Sequence, residues 1–309
     1  MAKVGYLLWR QITNVVILTE SRRQRGPFSE FLFRLRDAKC TEDDWKYLIK
    51  HCASRDKTQA EIESFHTPHV TWLFNTNADN NKHNTKMLAN MGVPRVCMKA
   101  EHDCAASVSK SADSARRLSP YLYLCRGARI MILWNINSSI GLVNGATGTV
   151  KDWVYKEGQK APALPEMLVV EMDVYSGPLF FTGEGREKWV PLLPQKHSWQ
   201  KSQGGNDHYR LQYPICLAWG LTVWKSQGMT IMTKLGYDLG LTEPEAGLTY
   251  VALSRMTEIE LLFINAGCSL ARMTTTIQKN LKLKVRLEED VRLIEEARKT
   301  SVFFFPIQL

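Results

Sequence analysis

The chain has 309 residues, of which 44% are apolar, and a formal net charge of +9 at pH 7. This length and composition predict a globular protein with a full core, built as two domains or as one domain with a large insertion. The basic excess favours an anionic partner, nucleic acid first of all, although a charge of this size can also serve solubility alone.

The cysteines and the apolar segments predict an intracellular protein. Seven cysteines are scattered without a CxxC pair, which is typical of free thiols in a reducing compartment. Cys97, His102 and Cys104 approach metal-ligand spacing, but no fourth ligand follows at a usual spacing, so we predict no metal site. No apolar run is long enough to span a bilayer, and the amino terminus lacks a signal-peptide cleavage region, so we expect no membrane partner.

The first part of the chain alternates strand and helix patterns. Residues 14–20 (NVVILTE) and residues 70–74 are predicted to be buried strands. Between them lie two helical patterns; the second begins at a capping box formed by Thr41 and Asp44. The residues expected on the buried faces are Phe28, Phe31, Leu32, Leu35, Trp45, Leu48 and Ile49. After residue 74, an Asn-rich turn leads into another helix. The alternation indicates an α/β fold with a mostly parallel sheet, whose ligands collect at the carboxyl ends of the strands.

The middle of the chain, from about residue 121, consists of short β-type runs separated by Gly, Asn or Pro turns. The runs are YLYLCRGARIMILWNI, GLVNGATGTVKDWVY, EMLVVEMDVY, GPLFFTG and EKWVPLL. This pattern is typical of a small antiparallel barrel. Asn144 and Gly145 are expected to form a type I′ turn. Five aromatic residues could stack on bases, but we expect most of them in the core: Tyr121, Tyr123, Trp134, Trp153 and Trp189.

The last part returns to an α/β pattern. Residues 214–223 (PICLAWGLTV) are predicted to form one buried strand that ends just before WKSQG. The tetrapeptide KSQG also occurs at 201–204, within a polar segment (residues 195–210) that is predicted to be a surface loop. The four residues alone therefore do not indicate a functional site. A helix over 250–255 is expected to lead into a strand over 261–264. The tail is expected to be an amphipathic helix with Leu287, Val291 and Ile294 on one face.

Four stretches, in this order, resemble the carboxyl-terminal half of the Pif-type ATP-dependent DNA helicases, relatives of the RecD helicases in superfamily one. LWRQITNVVILTESRRQ is similar to the segment that opens the second motor domain, with its Arg-Gln motif IV. RGARIMILWNINSSIGLVNGATGTV is similar to the stretch that enters the inserted barrel. PICLAWGLTVWKSQGMTI and GLTYVALSRMTEIELLFI are similar to motifs V and VI.

The resemblance implies a RecA-like, mostly parallel sheet with helices on both faces, carrying an inserted small antiparallel β-barrel. The motor domain would comprise residues 1–139 and 213–270, the barrel residues 140–212, and a helical tail residues 271–309. The implied partner is single-stranded DNA, and the implied location in a eukaryote is the nucleus or the mitochondrion.

The resemblance also implies roles for single residues. ATP with Mg²⁺ would bind between two RecA-like domains, and Arg255 of motif VI would reach the terminal phosphate. Arg23 is the second phosphate candidate, with Arg22 as the alternative in register. The implied nucleotide-side residues are Gln24, Gln227 and Gly228. The implied DNA-side residues are Thr222, Trp224, Lys225, Ser226 and Asn144, with Trp224 at a position where the family commonly has His.

A motor of this class needs GxxxxGK[ST] for the phosphates and an acidic motif for the metal, and this sequence contains neither. We therefore expect this chain alone to be inactive as an ATPase and to bind no cofactor tightly. Three alternatives remain: the distal part of a truncated helicase, a non-catalytic single-stranded DNA-binding module, or a half-motor that works in trans with a Walker-motif first motor domain. Arg255 and Gln227 favour the first, because these residue types serve ATP-driven work.

Overall fold

The computed structural model describes residues 2–17, 20–51, 57–199, 208–240, 243–265, 267–276 and 281–300. The helices are α1 (Ala2–Trp9), α2 (Gly26–Arg36), α3 (Glu42–Ile49), α4 (Gln59–Phe65), α5 (Asn77–Asn90), α6 (Ala105–Val108), α7 (Leu248–Leu253) and α8 (Leu281–Thr300). The strands are β1 (Thr71–Phe74), β2 (Arg95–Lys99), β3 (Glu101–His102), β4 (Tyr121–Cys125), β5 (Arg129–Ile132), β6 (Thr147–Val154), β7 (Met167–Met172), β8 (Trp189–Leu192), β9 (Gln195–Trp199), β10 (His208–Gln212), β11 (Ile215–Leu217), β12 (Gly220–Thr222), β13 (Leu235–Asp238) and β14 (Leu262–Ile264).

The chain divides into two compact units: residues 1–75 with 226–309, and residues 76–225. The finer division of the motor domain, barrel and tail at residues 139, 212 and 270 stays a prediction. The copy of KSQG at 201–204 lies outside the described residues.

In the first unit, β1, β13 and β14 pair in parallel, which confirms the parallel α/β prediction. Trp72 of β1 lies opposite Gly236 of β13, and a Cβ at Gly236 would overlap the Trp72 ring. Glycine is therefore required there, because the ring covers the neighbouring backbone. Trp72 packs in a cluster with four other buried residues: Phe65, Val70, Phe74 and Phe263.

The predicted helical pair is also confirmed. Thr41 and Asp44 form a complete capping box at the start of α3, because each side chain accepts the other's backbone N–H. The predicted apolar face of α2 is buried: Phe28, Phe31, Leu32 and Leu35. On α3, Leu48 is fully buried, while Trp45 and Ile49 are half-buried.

The strand predicted over residues 14–20 is wrong for its described part. Residues 12–17 have no regular secondary structure, and Val16 and Ile17 are 68% and 42% exposed. A β-branched run favours a strand only where it fits against a neighbouring strand and a buried surface, which the pattern itself cannot reveal. Leu18 and Thr19 lie outside the described residues.

The second unit contains the predicted antiparallel sheets. A five-stranded sheet has the order β11-β5-β6-β7-β8, a three-stranded sheet the order β3-β10-β9, and β2 pairs with β4. Buried residues from several of these strands share one core with Tyr213 and Trp219. The antiparallel strands that the short runs and their Gly, Asn and Pro turns predicted are thus confirmed.

Three local predictions in this unit are wrong. Residues 214–223 form two short strands, β11 and β12, because β11 joins the antiparallel sheet beside β5. The supposed loop over 195–210 begins and ends in the paired strands β9 and β10. GPLFFTG (residues 177–183) forms no strand, and its Leu179 is 70% exposed.

Two helices also differ from expectation. α5 begins at Asn77, inside the Asn-rich segment predicted to be a turn, because Thr76 caps the helix by accepting the Asp79 backbone N–H. α8 forms as predicted, but Val291 and Ile294 of its apolar face are 58% and 42% exposed. Among the described residues, no helix is both long and apolar enough to cross a membrane.

Candidate functional site

Two arginines of the first unit converge on one residue, Ser254. Ser254 caps the end of α7, and Arg255 follows it directly. The Arg255 Nη2 donates to the Ser254 Oγ at 2.9 Å, and its Nε donates to the backbone carbonyl of Val251 at 3.1 Å. Arg23, in the loop before α2, donates from Nη1 to the Ser254 carbonyl at 2.7 Å. The two guanidinium groups therefore share the carboxyl end of one short helix.

Arg23 rather than Arg22 is brought to this position. The Arg23 Nε also donates to the Thr230 Oγ1 at 3.1 Å. Arg22 is directed elsewhere: its side chain is 89% exposed and lies 3.6 Å from the carboxylate of Glu20.

The pair carries two positive charges without a carboxylate partner. Within the described part of the chain, no salt bridge joins Arg23 or Arg255 to an acidic side chain, and Arg255 bonds to Val251 and Ser254 rather than to Glu258. Burial lowers the pKa of the Arg255 guanidinium, and the nearby charge of Arg23 lowers it further. An anion placed between the two side chains would offset this repulsion.

Gln24 follows Arg23 in the chain and is buried. Its Nε2 donates to the backbone carbonyls of Ser254 at 2.9 Å and Met256 at 2.6 Å, while its Oε1 accepts from the Ser21 Oγ at 2.8 Å. The whole amide is therefore used inside the protein. In this structure Gln24 holds the chain on both sides of Arg255.

The loop after β12 lies beside the same segment. The Ile231 N–H donates to the Arg255 carbonyl at 2.8 Å, and Ile231 forms a parallel bridge with Met256. Gln227 and Gly228 are both exposed in this loop, and Gly228 has a positive φ of 87°, which glycine adopts without strain. Ser226, by contrast, is 0% exposed.

The predicted DNA-side residues of the second unit differ in how far their side chains are exposed to solvent. Thr222 is 5% exposed, whereas Trp224 is 41% exposed. Lys225 is half-buried, and its Nζ lies 3.7 Å from the Cys216 Sγ. Burial raises the pKa of the Cys216 thiol, and Lys225 opposes that rise.

Sequence reasoning missed Asn84, on α5. Asn84 is 4% exposed, and its side chain makes two hydrogen bonds to the backbone of Gly220. Its Oδ1 accepts the Gly220 N–H at 2.8 Å, and its Nδ2 donates to the Gly220 carbonyl at 3.0 Å. Asn84 thus fixes β12 two residues before Thr222. Its signal in the sequence is the Asn-rich run NADNNKHN, whose composition predicts a turn.

Asn144 is exposed, but its turn is not of type I′. Type I′ needs positive φ at both central residues, and here Gly145 has a φ of 95° while Asn144 does not have a positive φ. The Ala146 N–H closes the turn on the Val143 carbonyl at 3.0 Å, and the Asn144 N–H donates to the Asn135 Oδ1 at 2.9 Å. The side chain of Asn135 therefore fixes the backbone that presents Asn144.

The prediction that most of the five aromatics lie in the core is wrong. Tyr121 and Tyr123 are 41% and 56% exposed on one face of β4, with Lys99 of β2 paired opposite Tyr121. The three tryptophans are half-buried under cationic side chains: Arg116 lies 4.7 Å from the Trp134 ring, Arg126 5.2 Å from Trp153, and Arg186 5.0 Å from Trp189. Cation–π contact covers one side of each of these rings, and Trp153 also packs against the buried core of the unit.

The chain is similar in sequence to known proteins. The family model described as "DNA helicase Pif1, 2B domain" matches residues 119–152. The ATP-dependent DNA helicase PIF1 of Danio rerio is 30% identical over 258 residues, which cover 82% of this chain and 35% of that protein. Human PIF1 is 29% identical over 158 residues, 51% of this chain and 21% of that protein. The chain thus spans about a third or less of the relatives it matches here.

Solved structures agree in fold. The Pif1 helicase from Candida albicans has a TM-score of 0.65 at 22% identity, covering 88% of this chain and 60% of that one. The Bacteroides Pif1 helicase in complex with ADP-AlF3 and ssDNA has a TM-score of 0.62 at 21% identity, covering 90% and 56%.

These findings define the class first: an α/β protein with the fold of RecA-like helicase domains, carrying additional antiparallel sheets. Within that class, the chain is related to the Pif1 helicases and has the sequence and fold of a Pif1-like carboxyl-terminal region.

Proposed function

We propose that this chain supplies the second motor-domain portion of an ATP-dependent DNA helicase that moves along single-stranded DNA and unwinds duplexes, 5′ to 3′ by resemblance. The convergence of Arg23 and Arg255 on Ser254 carries the proposal. Two guanidinium groups without a carboxylate partner in the described residues form a site for a polyanion, and the terminal phosphate of ATP has the matching charge.

Arg255 is the residue that would stabilise charge on the transferring phosphoryl group, with Arg23 beside it. Gln227 and Gly228 lie exposed in the adjoining loop and are the remaining nucleotide-side candidates. For Gln24 we propose positioning rather than nucleotide contact, because its amide already bonds to Ser21, Ser254 and Met256. Mg²⁺ and the other phosphate contacts would come from a Walker-motif domain, because this sequence has no GxxxxGK[ST].

For single-stranded DNA, the exposed residues Trp224 and Asn144 are the strongest contact candidates. Lys225 would add phosphate affinity if its ammonium moved away from Cys216. Thr222 and Ser226 are buried, so we propose that they support the loop and that their side chains do not face DNA. Tyr121 and Tyr123, with Lys99 opposite, offer a second aromatic and basic face suited to base stacking.

Two other functions use the same surfaces. A non-catalytic DNA-binding module would need only the aromatic and basic faces, and a half-motor would recruit a Walker-motif partner in trans. The arginine pair favours a role in ATP hydrolysis, whether the Walker domain is in cis or in trans. In a eukaryote, the nucleus or the mitochondrion is the compartment that these functions require.

The test combines this chain with a Pif1-type first motor domain that carries the Walker motifs, either fused or mixed. We expect DNA-stimulated ATP hydrolysis only when both parts are present. Arg255→Ala should lower turnover by about 10³-fold or more, as loss of an arginine finger does, and leave the affinity for DNA unchanged. Turnover by this chain alone that survives Arg255→Ala would refute the assignment of the site. An in-frame Walker motif in the upstream nucleotide sequence would establish the arrangement in cis.

The DNA part has its own test. Binding of a labelled oligonucleotide should weaken steeply as salt rises. Trp224→Ala should cost about 1–3 kcal/mol, the usual worth of one base stacked on an aromatic ring. Phe180→Ala is the matched control, because Phe180 is a similarly exposed aromatic residue of the same unit. Equal affinity of the wild type at low and moderate salt would contradict the electrostatic part of the proposal.

A further inference from the structure

Three side chains of metal-binding type meet in the second unit, and none of them belongs to the site described above. Asp103 and Cys104 lie between β3 and α6, and His208 is the first residue of β10. The antiparallel pairing of β3 with β10 brings the two segments together. One ligand atom from each of the three residues lies within 4.8 Å of the others.

We propose that Asp103, Cys104 and His208 bind a single divalent transition-metal ion, Zn²⁺ by preference, with water at the fourth position. A thiolate, an imidazole and a carboxylate form a donor set that suits zinc, whereas Mg²⁺ prefers oxygen ligands alone. In the sequence, Cys104 approaches metal-ligand spacing together with Cys97 and His102. The fold instead pairs Cys104 with its neighbour Asp103 and with a histidine more than a hundred positions away.

The distances suit a tetrahedral ion. With Zn–S near 2.3 Å and Zn–N near 2.0 Å, tetrahedral geometry places the sulfur and the nitrogen about 3.5 Å apart. The Cys104 Sγ lies 3.4 Å from the His208 Nδ1. The Asp103 Oδ2 lies 2.8 Å from the same nitrogen, so this pair would open by about 0.5 Å as the ion replaces their hydrogen bond.

The carboxylate is already oriented for this role. The Asp103 Oδ1 accepts from the Ser107 Oγ at 2.5 Å and from the Tyr209 N–H at 3.1 Å. Ser107 is 1% exposed, so this contact belongs to the packed structure. Oδ2 is therefore left directed at His208, in the way that outer hydrogen bonds orient the ligands of metal sites.

Cys104 is also chemically available. It is exposed, whereas Cys40, Cys125 and Cys268 are buried. An ion that joined Cys104 to His208 would link the start of α6 to the start of β10. Because it would bind the folded unit more tightly than the unfolded chain, it would raise the free energy of unfolding.

Co²⁺ is the probe, because a thiolate ligand gives a charge-transfer band in the near ultraviolet and a tetrahedral site gives visible bands. We expect one Co²⁺ per full chain, displaced by Zn²⁺. Cys104→Ser should abolish the charge-transfer band, His208→Ala should abolish tight binding, and Asp103→Asn should weaken binding about tenfold or more. Cys97→Ser is the matched control and should keep the spectrum.

Circular dichroism checks that each variant is folded. Cys104→Ser is nearly isosteric and exposed, so it keeps the test valid if His208→Ala unfolds. A second measurement needs no variant: Zn²⁺ should raise the unfolding temperature of the wild type, and a chelator should reverse the rise. A wild type without the charge-transfer band, or a band that persists in Cys104→Ser, would overturn the proposal.

Discussion

Arg23 and Arg255 donate hydrogen bonds to the same residue, Ser254, one to its backbone carbonyl and the other to its hydroxyl. They are separated by more than two hundred positions in the sequence, and each comes from a different motif of the resemblance. Burial lowers the pKa of the Arg255 guanidinium and the charge of Arg23 lowers it further, so the two positive charges repel each other. A negatively charged ligand between the two side chains would reduce that repulsion.

This relationship predicts that inorganic phosphate stabilises the chain through the arginine pair. At a phosphate concentration about fivefold above the dissociation constant, the free energy of unfolding should rise by about 1 kcal/mol. Thermal unfolding with increasing phosphate, at constant ionic strength, measures the effect. In Arg255→Ala the phosphate dependence should disappear.

Arg22→Ala provides the control for that experiment, because Arg22 is exposed and lies near Glu20 instead of Ser254. It should respond to phosphate as the wild type does. An equal loss in both variants would mean that phosphate acts through general charge and that the pair is not a specific site.

A second prediction separates a positioning role of Gln24 from a nucleotide-binding role. Gln24→Ala would remove the donor that Gln24 supplies to the buried Met256 carbonyl and would leave the Ser254 carbonyl with the Arg23 guanidinium alone. We expect a loss of about 2–3 kcal/mol of stability in urea unfolding, because unsatisfied buried groups keep their desolvation cost. Gln227→Ala, at an exposed position, should change stability little. If Gln24→Ala leaves stability unchanged, the positioning role is wrong.

The elements with strong local signals were predictable from the sequence. The capping box at Thr41 and Asp44 and the apolar spacing of α2 depend on neighbours three or four positions apart, and both formed as predicted. The parallel strands around Leu73 and Phe263 were likewise readable from buried runs. The arginines of the candidate site could be named from the resemblance.

The predictions that were wrong concern residues whose structure depends on segments far away in the sequence. Residues 214–223 look like one strand, but the first half forms a separate strand, β11, that pairs antiparallel with β5. Residues 14–17 look like a strand, but Asn14, Val16 and Ile17 are exposed and Val15 is half-buried. No local pattern shows that the amide of Gln24 is used by Ser254 and Met256, because that contact exists only after two remote segments meet.

Asn84 gives a third prediction, for the second unit. Asn84→Ala removes both hydrogen bonds to the Gly220 backbone and leaves two buried groups unpaired. We expect a loss of about 2–4 kcal/mol of stability, measured by urea unfolding. Because β12 precedes Trp224, affinity for single-stranded DNA should fall as well.

Asn81→Ala is the matched control on the same helix, because Asn81 is exposed. It should lower stability by no more than about 0.5 kcal/mol, as surface substitutions usually do. Equal losses from the two variants would show that helix propensity, and not the contact with Gly220, controls the result.

The pH dependence of stability should contain a contribution from Asp44. Burial alone would raise the pKa of this carboxyl, but hydrogen bonds from the Arg34 side chain and the Thr41 backbone N–H outweigh it, so the pKa is lowered. The Arg34 Nη2 lies 2.8 Å from Asp44 Oδ1, and the Asp44 side chain is 4% exposed. The unfolded carboxyl titrates near pH 3.9, so the contribution is complete above that value and is lost as pH falls through the folded pKa.

Asp44→Asn should therefore cost about 1–2 kcal/mol at pH 7, a modest value because Arg34 is 40% exposed and its charge is partly screened. The difference between variant and wild type should shrink below about pH 4, where the wild-type carboxyl becomes protonated. Asp43→Asn is the control: Asp43 is 93% exposed and lies 3.8 Å from Lys46, so its loss should matter little at any pH. A constant difference between Asp44→Asn and wild type down to pH 2 would show that the capping geometry, rather than the charge, is what stabilises α3.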